Sequence, residues 1–352
     1  MANGNTSPSR VGLIEGGSDN DALFLKKFSG EILQTFDESN VFKALHTIRT
    51  IESGKSAQFP VTGIASAAYH TPGENIADGG NSYLSDIAKT EKIITIDKML
   101  VASTFLANID DVKNHYDIRS VYANELGKAL AKRFDIALAK VFCAAARDSA
   151  NLTQVGTSGG QLDVANNDFS APDTPGTVAA TTGADLVAAF FTAAQKLDEN
   201  DVPSDGRFCV LRPQEYYKLV TGADSSNSFS LVSAVNSDIG GQGSLASGSI
   251  PQIAGISIYK SNHIPSTDLS AVSTGDGSSA NDVFGGSGVG YNGDFRNSLG
   301  LISHAAAVGT VKLLDLATES EYQIERQGTL FVAKYAMGHG VLRPECAIEL
   351  VA

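Results

Sequence analysis

The chain has 352 residues, 42% of them hydrophobic, which is enough to pack real cores and excludes wholesale disorder. Its net charge is −13, and the acidic excess sits in residues 151–352, with 10 Lys/Arg against 21 Asp/Glu. That balance is poorly suited to neutralising phosphates, so any nucleic acid near this protein is expected to be contained rather than gripped. Charged residues are 18% and glycines number 35, as expected of a chain that covers much of its surface with copies of itself.

Residues 1–20 are polar and read as an arm. From Asp21 to about Leu45 the spacing of Leu25, Phe28, Ile32 and Phe36 predicts a helix. Residues 47–104 read as two extended segments, Thr47–Tyr69 and Lys89–Thr104, around turns at Pro72-Gly73 and Asp78-Gly79-Gly80. Such a hairpin has few large apolar residues and is marginal alone in water. It is expected to lie across another surface, which in an oligomer can be a neighbouring subunit.

Asp110 to about Ser149 is the clearest element. Ile118, Tyr122, Leu126, Leu130, Phe134, Ala137, Val141 and Ala145 recur at helical spacing without an internal proline, which predicts a spine-like helix. Residues 151–182 read as a Gly/Ser/Thr loop. A second helix is predicted over Gly183–Glu199, opened by a capping box at Thr182 and Asp185. A short buried strand at Phe208–Leu211, a helical piece at Gln214–Val220 and a strand at Ile256–Tyr259 follow, an α/β pattern. Gly/Ser loops at 236–249 and 266–297 precede an apolar stretch and extended segments at Glu321–Met337 and Ala347–Val351.

Reactive chemistry is hard to find. Gly54-Lys55-Ser56 lacks the earlier glycine of a phosphate-binding loop, its place being taken by Arg49. Gly156-Thr157-Ser158-Gly159-Gly160 matches the G-x-S-x-G esterase pattern but sits in a loop with no strand before it and no helix directly after. Asp198, Glu199, Asp201 and Asp205 lack calcium-loop spacing and read as a solvated helix end. Six scattered histidines and three distant cysteines make no zinc pairing or disulfide framework, so no metal and no cofactor are expected. The first ten residues have no apolar signal core, and nowhere do 18 apolar residues run together. No enzyme, no membrane contact and cytoplasm-like conditions are expected.

A set of blocks carries a resemblance. They are Ser53–Val61, Ala67–Asn75, Thr90–Asp97, Asn114–Ser120, Ala307–Lys312 and Ala333–Gly340, continuing into Leu342-Arg343-Pro344-Glu345. Their order and spacing, from about residue 20 onward, resemble the major capsid proteins of short-tailed, autographivirus-type DNA phages, including those infecting cyanobacteria. The resemblance implies an α+β chain of the Hong Kong 97 phage capsid fold. It implies an N-terminal arm (1–46), an extended β-hairpin loop (47–105), a peripheral domain with the spine helix (106–150 and 306–340) and an axial α/β domain (151–305 and 341–352).

The implied function is self-assembly as hexamers and pentamers into an icosahedral virion shell enclosing double-stranded DNA, without sequence-specific binding. Implied partners are a scaffolding protein, a portal protein and decoration proteins, with assembly in the host cytoplasm and procapsid maturation. Tyr69, His70, Pro72, Glu74 and Asn75 at the hairpin tip are the expected inter-subunit contacts. The alternatives are an encapsulin-like compartment shell and, more remotely, a hydrolase using Ser158.

Overall fold

Two sheets and a long helix organise the chain. The structure is a computed structural model and describes residues 40–77, 83–84, 87–96, 99–109, 119–152, 158–169, 181–221, 250, 252–269 and 293–352. The helical pattern of 21–39, the start of the long helix at 110–118, the loop at 236–249 and residues 270–292 of the loop at 266–297 lie outside these residues.

Strands β1 (Thr47–Thr50), β4 (Leu100–Ala107), β10 (Val308–Gln323) and β11 (Gly328–Val341) form a four-stranded sheet in the order β1-β10-β11-β4. Strands β2 (Ser56–Thr62) and β3 (Lys89–Thr95) form a separate antiparallel hairpin, with Ser56 opposite Thr95 and Thr62 opposite Lys89. The extended segments expected over 47–69 and 89–104 therefore divide. Their outer ends join the four-stranded sheet and only their middle parts pair with each other. Period-2 patterning predicts strand but does not name its partner, and here Gly54, at φ +119°, turns the chain between β1 and β2.

Helix α1 (Arg119–Arg147) spans about 43 Å at 1.5 Å per residue. It packs on one face of the four-stranded sheet, where the ring of Phe134 meets Tyr335 and His339 of β11. Side chains alternate across a strand, so Gly338 and Gly340 point the other way, toward β3. A Cβ on Gly338 would meet the Thr95 carbonyl at 2.1 Å, and one on Gly340 would meet Ile94 at 2.7 Å. With Ala57, Ile94 and Val311 they form a second small core, flanked by Ile51, Phe59, Ile96 and Leu342. The sheet is thus sandwiched: spine on one side, hairpin base on the other. The base of the hairpin rests on its own chain.

The remaining elements build an α/β lobe. Helix α2 (Gly183–Glu199) starts at the expected box: Asp185 N–H donates to Thr182 Oγ1 and the Asp185 carboxylate accepts from Thr182 N–H. Its apolar face, Leu186, Phe190, Ala193 and Leu197, is fully buried, each large side chain contributing about 1.5–3 kcal/mol. Strands β5 (Gly160–Asp163), β6 (Arg207–Leu211), β7 (Gln252–Ile253), β8 (Ile256–Lys260), β9 (Ser298–His304) and β12 (Ala347–Val351) form a six-stranded sheet in the order β5-β12-β9-β6-β8-β7, and helix α3 (Pro213–Thr221) follows β6. Strand β5 falls within the expected 151–182 loop. Its glycines hid it: Gly159, just before it, lies so close to α1 that a Cβ would meet the Ala145 carbonyl at 2.4 Å.

Replacing Gly338 by Ala should push β3 off the sheet. We expect a loss of about 1–3 kcal/mol in urea unfolding and faster amide exchange across residues 89–95, with β6 and β9 unchanged.

Candidate assembly surfaces

Beyond Thr62 and Lys89 the hairpin leaves its own sheet and every described residue from Ala65 to Ala77 is exposed. Thr71-Pro72-Gly73-Glu74 is a tight turn: Glu74 N–H donates to the Thr71 carbonyl at 3.2 Å and Gly73 takes φ +98°, which glycine accepts without strain. Nε2 of His70 lies 2.9 Å from the Glu74 carbonyl, so that nitrogen carries the proton. Tyr83 ties the turn from across the tip. Its hydroxyl accepts from Thr71 N–H at 2.9 Å and donates to the Glu74 carboxylate, and its ring stands 5.2 Å from that of His70. Asn75 Oδ1 accepts from Ala77 N–H at 3.0 Å.

The tip is therefore internally braced while its outer surface faces solvent. Of the five residues singled out in the sequence, His70, Glu74 and Asn75 make bonds within the tip, Pro72 shapes the turn, and Tyr69 is fully exposed. Sequence reasoning missed Tyr83, which follows both turn clusters and has no pattern to mark it. It also missed the apolar company of Tyr69: Ile64, Ile76, Leu84 and Ile87 are all exposed on the same loop. Single exposed apolar residues are ordinary, but a cluster on one projecting hairpin marks an interaction surface. A second projecting end carries exposed Tyr322 and Ile324 where β10 turns into β11.

Two polar knots tie other segments of the chain to the spine. Asp135 of α1, wholly buried, accepts from Val41 N–H at 2.8 Å and faces Nδ1 of His263 at 3.1 Å. One carboxylate thus ties the segment before β1 and a loop after β8 to the helix. At the helix end, Arg147 makes a two-pronged ion pair with Glu349 of β12, 2.7 Å on each side. Glu349 also accepts from Gln161 of β5 at 3.0 Å and from the Ser298 hydroxyl of β9. Breaking a buried pair strands the other charge. Glu349→Ala should cost roughly 3 kcal/mol in urea unfolding, and Glu349→Gln, which keeps one accepting oxygen but sets an amide donor against the donors around the other, should be destabilised as well.

Histidines near the first knot are kept neutral. Burial, with the nearby charge of His46 adding to it, pushes His339 down to about 3; its Nδ1 lies 2.8 Å from the Thr310 hydroxyl. Burial also lowers His46, partly opposed by the Phe42 carbonyl and Asp135. Because the folded chain holds His339 neutral and the unfolded chain protonates it below about 6.5, its effect is absent above that pH. Stability then falls as pH drops from 6.5 toward 3, by ~1.4 kcal/mol per pH unit for that proton, and His46 adds in the same direction. Unfolding midpoints measured between pH 7 and 4.5 should slope less in His339→Gln than in the parent chain.

No reacting constellation emerges among the described residues. Ser158 is exposed and runs straight into β5, while Gly156 and Thr157 lie outside the described residues. Its neighbour Gly159 serves close packing on α1. Asp198 of the acidic cluster pairs with Arg207 at 2.6 Å.

Comparison with known structures defines the class. The chain superposes on the capsid structure of the cyanophage P-SCSP1u with a TM-score of 0.72 at 40% identity, covering 99% of each chain. It superposes on the mature capsid subunit of bacteriophage PhiM1 with a TM-score of 0.66 at 15% identity, over 89% of this chain and 86% of that one. This is the Hong Kong 97-like fold of phage shell subunits. Residues 58–351 match the family described as Gp10A-like, major capsid protein, and the major capsid protein of Escherichia phage T7 is 34% identical over 345 residues, 97% of this chain and 94% of that protein. The chain belongs to this major capsid protein family. It is a structural protein of the phage shell and not an enzyme, and neither the compartment reading nor the Ser158 hydrolase finds support.

Proposed function

We propose that the chain associates with its own copies as hexamers and pentamers through the hairpin tip, closing a shell around double-stranded DNA. The supporting observation is the exposed apolar surface of a loop whose base, but not whose tip, is supported by its own sheet. Tyr69, with Ile64, Ile76, Leu84 and Ile87 exposed on the same loop, docks on a neighbouring subunit, and heterologous contacts of this kind close into rings. His70, Pro72, Glu74 and Asn75, braced by Tyr83, hold that surface in shape before docking, which reduces the ordering entropy of association.

In this reading residues 1–46 act as the arm, 47–105 as the extended loop, 106–150 with 306–340 as the peripheral domain, and 151–305 with 341–352 as the axial domain. Strands β1 and β4 belong to the loop by sequence position and to the four-stranded sheet by pairing, and the hairpin base packs on that sheet, so the part free to swing lies beyond Thr62 and Lys89. A scaffolding protein, a portal and decoration proteins complete the assembly, which takes place in the host cytoplasm. A rigid-body rearrangement of subunits carries the precursor shell to its mature form.

Deleting Tyr69–Asn75 should leave a folded, soluble subunit that forms few closed particles by negative-stain microscopy with its assembly proteins. Tyr69→Ala should raise the concentration needed for assembly by about tenfold or more, as loss of a central aromatic contact does. Normal assembly of the deletion would refute the tip's role.

A further inference from the structure

The last strand of a sheet keeps one side of its backbone for a further strand, and proteins usually blunt such edges. Among the described residues the three sheets end on β1, β4, β5, β7 and the two strands of the hairpin. Five of these six edges are blunted. Strand β7 is two residues long, and β5 is four, closed by the bridge from Asp163 to Asp168. Strand β1 is also four residues and carries Arg49, which donates to the Gln58 carbonyl at 3.1 Å. Pro60 interrupts β2, and β3 carries Lys89, Glu91 and Lys92. Strand β4 has none of these devices. Its eight residues, Leu-Val-Ala-Ser-Thr-Phe-Leu-Ala, hold no charge and no proline, and its pairing with β11 runs without a bulge.

The side chains of β4 add a second observation. Val101, Ser103 and Phe105 lie opposite Lys334, Val332 and Leu330, on the face turned away from α1. Val101 is 47% exposed, Ser103 is exposed and Phe105 is half-buried. Just beyond the two ends stand Met99 and Ile109, both exposed. This pattern matches itself when reversed. In an antiparallel pair of β4 strands with Ser103 on a two-fold axis, Val101 of each copy faces Phe105 of the other. Neighbours of that kind, one β-branched and one aromatic, stabilise a sheet. The same reversal brings the Met99 end of one strand to the Ile109 end of the other. An axis at position 104 would instead set Val101 against Ala107 and Ser103 against Phe105, leaving neither apolar residue a large partner. Without a charge in the strand, no like charges meet across the axis.

We propose that two copies of the chain pair edge to edge through β4, so that the four-stranded sheet of one continues into that of the other across a two-fold axis at Ser103. The inference rests on the shell reading above and goes beyond the tip contact. Contacts from tip to neighbour are heterologous and close a ring; the β4 contact is isologous and joins one ring to the next. Backbone hydrogen bonds supply the attraction, and the Val101–Phe105 pairs set the register. A second copy fits this edge better than an unrelated extended peptide, because the strand is its own complement about Ser103.

The test uses the full-length chain assembled with its partner proteins, oxidised with diamide and run on a non-reducing gel. Ser103→Cys should give disulfide-linked dimers, since residues facing each other in such a pair lie about 4.5–5.5 Å apart at Cβ. The native Cys143, Cys209 and Cys346 are buried and should stay unlinked. Val101→Cys and Phe105→Cys should link when co-assembled and not when either is alone, which reads the register. Gln195→Cys, exposed on α2, should link to nothing. Ser103→Asp, which sets two carboxylates face to face, should raise the concentration needed for closed particles by roughly fivefold. The Tm of the unassembled Ser103→Asp chain should match the parent, as at other exposed positions. Edge pairing is overturned if Ser103→Cys in closed particles stays unlinked, links no more than Gln195→Cys, or links only to a different protein. It is equally overturned if the mixed pair fails to link, or if Ser103→Asp closes particles at the parental concentration. The assembly reading fails on a different observation, the absence of closed particles from the parent chain, and the pairing would fall with it.

Discussion

The closeness of two backbones at Gly338 governs the layout of this subunit. With no side chain between them, β3 settles onto β11, and Ile94 fills the space left by Gly309 and Gly340. The sheet can then be covered on both faces, by α1 through Phe134 and by the hairpin base through Ile94 and Val311. That double covering fixes the direction in which the hairpin leaves the subunit. It also separates the tip from the exposed side of the spine by the full thickness of the sheet.

Much of this was legible in the residues. The helical spacing of Leu130, Phe134, Ala137 and Val141 predicted the spine, and the capping box at Thr182 and Asp185 marked the start of α2 to the residue. What stayed hidden was pairing. Nothing in Thr47–Thr50 announces a parallel partner at Gly309–Lys312, and nothing in the glycine-rich stretch before Gln161 announces a strand. Glycines read as loop in a linear pattern; in three dimensions Gly159, Gly338 and Gly340 mark where two elements touch most closely.

The surfaces divide along similar lines. Turn chemistry at Pro72-Gly73 located the tip, but the brace from Tyr83 depends on a contact across the loop that no local pattern encodes. Whole-chain charge carries no positional information. A sum of −13 says nothing about where cations gather, and helix α1 gathers them because its buried face needs apolar residues and its open face is left to Lys and Arg. The G-x-S-x-G match shows the converse error, a reactive pattern produced by residues chosen for their small size.

The position of β12 has a consequence for how the subunit is made. This strand lies between β5 and β9, so residue 160 must wait for residue 348 before its backbone finds a partner. The same late segment delivers Glu349 to Arg147 and thereby locks the end of the spine. Without it the lobe would be split and the Arg147 guanidinium would lose its carboxylate. The finished shape of the lobe thus depends on β12, the element that joins β5 to β9.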